Sequence, residues 1–152
     1  MSGPKISEYE LEQRRKAELQ RRERETNELR SSIVASILEA QQAISKADQE
    51  LSLLDRQLEL LLSSTLSPQE QEQTLSAIKQ RKQQLAQLKE ICSGIITTDY
   101  SGDLERLRET HSVVSHKAKT VSSLEAGDPS TNASYQKAMS ALAENLWKHA
   151  SL

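Results

Sequence analysis

The sequence has no phenylalanine, one tryptophan, one cysteine, three prolines and four glycines in 152 residues. Each shortage removes a class of explanation. No segment alternates apolar and polar residues over a useful length, so strands are not expected. Gly94 and Gly102 flank a connection and match neither a phosphate-binding loop nor a dinucleotide fingerprint. Cys92 has no partner for an internal disulfide, and a reducing cytoplasm is the expected setting. No run approaches the roughly 18 apolar residues of a membrane span. The opening "MSGPKISEYELEQ" passes into charge instead of an apolar core, unlike a signal peptide, and Ser2 breaks the myristoylation pattern. Twenty basic against 22 acidic residues leave a formal charge of −2, which gives no general pull toward nucleic acid or an anionic membrane.

What is present is the material of long helices. Glu, Gln, Lys, Arg, Ala, Leu and Ser dominate, with 36% apolar and 28% charged residues. Four helical segments follow from the punctuation. The first starts near Ile6, after Gly3 and Pro4, and runs unbroken to about Leu62, roughly 57 residues or about 85 Å at the α-helical rise. In "SSTLSPQE", Ser67 is the expected N-cap, Pro68 the first helical position and Glu70 the capping-box partner. The second segment then covers 68–93, with Gly94 as its stop. The third covers 102–126 and ends at "GDPS"; the fourth runs from about Thr131 onward.

The first segment carries a narrow apolar seam. Ile33, Ile37, Ala40, Ile44, Ala47, Leu51, Leu54, Leu58 and Leu61 follow strict 4-3 spacing, the repeat that keeps one face against a partner helix. Val34, Leu38, Leu53, Leu60 and Leu62 are read as widening that face at both ends. The second segment answers with Leu75, Ile78, Leu85, Leu88, Ile91, Cys92 and Ile95, and the short connection favours an antiparallel hairpin. Leu104, Leu107, His111, Val114, Ala118 and Val121 form the seam of the third, and Tyr135, Met139, Leu142, Leu146 and Trp147 belong to the fourth. The expected fold is all-α: a long antiparallel coiled-coil hairpin extended to a three- or four-helix up-down bundle. Residues 1–31 project from it as a charged helical arm, and 32–152 form the hairpin and bundle.

The arm, "SEYELEQRRKAELQRRERETNELR", has no continuous apolar stripe. Glu10 with Arg14, Glu12 with Lys16 and Glu18 with Arg22 stand four apart in the favourable order, each contributing a few tenths of a kcal/mol. Arg14, Arg15, Arg21 and Arg22 share one side of the helical wheel, but Glu18 and Glu25 fall among them. A solvated charged helix is the first reading, a docking arm for a protein partner or a second copy the next, and nucleic acid is not expected. The alternation of Met-Ser-Gly-Pro-Lys with a following Ser7 and Tyr9 resembles the start of a group of uncharacterised bacterial helical proteins. That resemblance implies a bacterial cytoplasmic protein and is consistent with a natural chain that continues past Leu152.

Sites for chemistry are poorly supplied. His111 and His116 are five residues apart and diverge by about 140° around a helix, His149 stands alone, and no metal or other cofactor is expected. The carboxylates sit among basic neighbours with no acid–base pair set apart. Trp147 is read as core or as an interface anchor. The expected function is therefore non-enzymatic: a coiled-coil interaction or scaffold module mediating protein–protein assembly, most simply as a homodimer with no membrane contact. The alternative is a regulatory or sensing accessory subunit of a bacterial multi-protein complex, defence-related or nucleotide-driven.

Overall fold

The structure is a computed structural model that describes residues 7–150, and the side chains of all of these except 130, 131, 149 and 150. The Met-Ser-Gly-Pro-Lys opening, with Ile6, and the side chain of His149 lie outside the described residues. Within them the chain is all-helical: α1 (Glu8–Leu62), α2 (Pro68–Ile96), α3 (Leu104–Ala126) and α4 (Pro129–Ala150). Local chemistry sets most ends. The Ser7 hydroxyl accepts the Glu10 amide at 3.2 Å and begins α1. Ser67 does the same for the Glu70 amide and donates to the Glu70 carboxylate at 2.9 Å, as the capping-box spacing predicts. Asp103 caps α3 through the Arg106 amide at 2.9 Å, so that helix starts at Leu104 and not at Gly102.

Two other ends move from expectation. Gly94 does not stop α2, which continues to Ile96 with Thr97 as its cap. Ile95 is 1% exposed, and burying that side chain outweighs the roughly 1 kcal/mol that glycine costs a helix. The fourth helix begins at Pro129, two residues before Thr131. Between α3 and α4, Gly127 takes a left-handed φ of 71°, and a Cβ there would lie 2.7 Å from the Asn132 side-chain oxygen. Asn132 in turn donates to the Ala126 carbonyl at 2.6 Å. The break is thus built from a positive-φ glycine and a side chain that takes up a terminal carbonyl.

Polar pairs fix the directions. Lys89 reaches Asp48, and Lys82 reaches Asp55 at 2.7 Å, so α2 runs antiparallel to α1. On α3, Arg108 meets Glu25 and His111 meets Ser32; on α4, Tyr135 meets Gln57 and Asn145 meets Thr65. Both index series rise together, so α3 and α4 run parallel to α1, one after the other. The bundle therefore has three rods in cross-section, the third broken at Gly127. It is not a zigzag of four side-by-side helices.

The seam is buried where its spacing places it. Ile33, Ala40, Ala47, Leu54 and Leu61, seven residues apart, are at most 6% exposed, and Ile37, Ile44, Leu51 and Leu58 between them are half-buried. Leu85, Leu88, Cys92, Leu107, Val114 and Val121 complete the core from α2 and α3. The widening residues behave otherwise: Val34, Leu38, Leu53, Leu60 and Leu62 are all exposed. The third rod takes a different flank of α1: Ser36 and Ala43 face Ala118 and Val121 across a small cavity, Gln57 accepts the Tyr135 hydroxyl, and Glu50 is linked to the end of α3 through Arg81 of α2.

Candidate interaction surfaces

The arm is shorter than the expected thirty residues. Glu25 accepts two hydrogen bonds from Arg108, at 2.8 and 2.9 Å. Arg30 donates to the Gly102 carbonyl at 3.2 Å, and Ser32 lies 3.0 Å from His111 Nε2. These contacts straddle residue 31, where α1 passes without interruption. Residues 7–24 are exposed throughout, a projection of about 25 Å at the helical rise. α3 thus engages the stretch of α1 that lies beyond the end of α2.

This docking responds to acid. The Arg108 hydrogen bond holds the Glu25 carboxyl below the usual carboxylate range, with Arg21 and Arg22 adding to the effect. A depressed folded-state pKa contributes stability that is fully present above the ordinary glutamate value, about 4.3, and is lost as the pH falls through the folded value. The α2–α3 connection and the first turn of α3 are therefore expected to lose amide-exchange protection, relative to the intrinsic rate at each pH, below about pH 4. Glu25→Gln should show the lower protection already at neutral pH. Unchanged protection factors from about pH 7 to about pH 3 in the parent would contradict the assignment.

The arginines singled out in the arm do not form one free basic patch. Arg21 pairs with Glu18 at 2.7 Å, three residues away, and the Arg22 carbonyl accepts the Thr26 hydroxyl. Arg14 and Arg15 are exposed and make no ion pair among the described residues. At the opposite end of the rod, Trp147 is 74% exposed, which places it outside the core, and Leu62 beside the α1–α2 turn is 87% exposed. Asn145 accepts the Thr65 amide at 3.0 Å and donates to the Thr65 hydroxyl at 3.1 Å, tying α4 to that turn.

No protein-family model, curated protein or solved structure matches the chain. The reading of its surfaces rests on their own chemistry. Among the described residues no three His, Cys, Asp or Glu side chains converge as metal ligands, and no helix is long and apolar enough to cross a membrane. Burial pushes the Cys92 thiol pKa up, with the Glu125 charge adding to it, which disfavours the nucleophilic thiolate. An open groove between α2 and α4, lined by Gln73, Thr74, Ala77, Ser134, Lys137 and Ala141, holds one buried polar side chain, Thr74, and its hydroxyl is spent on the Glu70 carbonyl.

One residue that the sequence reading passed over organises the middle of the rod. Arg81 is 12% exposed at its side chain and grips both Glu50 carboxylate oxygens, at 2.7 and 3.0 Å. It also donates to Gln84 and to the Leu124 and Glu125 carbonyls at the end of α3. Five bonds use all five guanidinium donors. A cation on carbonyls at a helix C-terminus is favourable in itself. No sequence pattern marks it, because its partners on α1 and at the end of α3 are far away along the chain.

Proposed function

We propose that this protein is a non-enzymatic assembly module: a coiled-coil scaffold rod that joins protein partners through its projecting arm, in a cytoplasmic setting. The observation that carries this reading is the continuation of α1 for 17 residues, Glu8 to Arg24, beyond the point where α3 docks, with every one of them exposed. A free helix of that length is marginal in water. Here it is held in register by the buried part of the same helix, so a partner meets it with much of its ordering cost already met. Charged pairs on its faces suit specific pairing more than general adhesion.

Site-directed photocrosslinking in the source cells tests this. A photoreactive residue at Tyr9, Arg15 or Leu19 is expected to give discrete protein adducts, while one at Glu109, exposed on the bundle flank, gives none. Adducts absent at all three arm positions, or equally abundant at Glu109, count against the reading.

A further inference from the structure

We propose that the arm recognises a second copy of this chain, pairing antiparallel with its twin about a two-fold axis near Arg14. This deepens the assembly reading by naming one occupant of the arm. Continued downward from Ile33, the 3-4 seam spacing falls on Arg30, Thr26, Glu23, Leu19, Lys16, Glu12 and Tyr9. The seam positions thus continue to the end of the arm, where five are charged or polar and two, Tyr9 and Leu19, are apolar. Tyr9 is 71% and Leu19 67% exposed, and neither Glu12 nor Lys16 makes an ion pair among the described residues.

Antiparallel packing places each residue of one seam series beside one of the other series in the partner. With paired numbers summing to 28, Tyr9 meets Leu19 of the second copy and Glu12 meets its Lys16, each contact occurring twice. Flank contacts are offset from the seam, with numbers summing to 30, so Glu8 meets Arg22. Apolar faces apolar and each seam carboxylate faces an ammonium. The next register and the parallel pair both oppose like charges. One heptad further, Glu12 faces Glu23. In a parallel pair Glu12 faces Glu12 and Lys16 faces Lys16, and like charges directly opposed are destabilising. The antiparallel register also sends the two bundles to opposite ends, clear of each other. Its single like-charged pair is Arg15 against its own copy across the axis.

The overlap covers fewer than twenty residues a side and is smaller than a standard stable interface, so the dimer is weak and salt-sensitive. Sedimentation equilibrium on the full chain at about 0.2 mM and low salt is expected to show a monomer–dimer equilibrium. Glu12→Lys and Lys16→Glu should each raise the dissociation constant about ten-fold, and the two together should restore it. Arg15→Gln should tighten the dimer about two-fold. A spin label on Arg24→Cys, with Cys92 buried and unlabelled, should sit about 30 Å along the axis from its twin, whereas a parallel pair would bring the two together. A parent that stays monomeric, or a double swap that fails to recover, overturns the proposal. The photocrosslinking result is independent of it: arm adducts to other proteins alongside a monomeric chain leave the assembly reading standing and remove only this occupant.

Discussion

Leu54→Asp is expected to unfold the bundle or remove most of its stability. Leu54 is fully buried at the centre of the seam, where the core cluster draws on α1, α2 and α3. An unpaired carboxylate there costs several kcal/mol or is forced to protonate, against a total stability of about 5–15 kcal/mol for a domain of this size. Leu54→Ala, which only leaves a cavity, should cost about 2–5 kcal/mol. Glu12→Ala on the exposed arm should change the melting temperature little, because exposed charges contribute well under 1 kcal/mol. Thermal unfolding followed by far-ultraviolet circular dichroism reads all three. A parent-like melting temperature for Leu54→Asp would falsify the buried seam.

The second large effect is expected at Arg81. Arg81→Met keeps the volume and removes every donor. It leaves Glu50 without its partner and the Leu124 and Glu125 carbonyls without theirs. Removing one member of a largely buried, hydrogen-bonded pair costs about 3–5 kcal/mol. Glu50 keeps partial access to water at 35% exposure, so about 2–3 kcal/mol is expected here. Arg81→Lys should recover less than half of the loss, since an ammonium cannot grip both carboxylate oxygens and reach the α3 carbonyls together. Urea denaturation of the parent, both variants and the Glu50→Gln cycle measures this. If Arg81→Lys were as stable as the parent, charge alone and not the five-bond fork would be what holds the α3 end.

These two residues divide along a physical line. Leu54 was legible because heptad spacing specifies which residues of a helix share a face before any partner is known. The capping box at Ser67 and Glu70 was legible for a similar reason, since donor and acceptor lie three residues apart. Arg81 was not, because its partners lie 31, 43 and 44 residues away in sequence. Nor was the flank of α1 that receives the third rod. Leu53 and Leu60 look like the apolar choice, yet the small Ser36 and Ala43 and the hydrogen-bonding Gln57 line the contact, with Glu50 joined to it through Arg81.

The sequence by itself determined four helices close to their observed limits, which residues of α1 share the seam face, and an exposed charged N-terminal stretch. Those properties depend on residues within one or two turns of each other, and their energetics is local. The tertiary structure alone decided that α3 and α4 form one broken rod, that α3 claims residues 25–32 of α1, and that Trp147 lies outside the core. Each of these turns on which of several comparable helix faces meet. Hydrophobic pattern ranks such faces weakly, and a few long-range hydrogen bonds with close backbone approach choose among them.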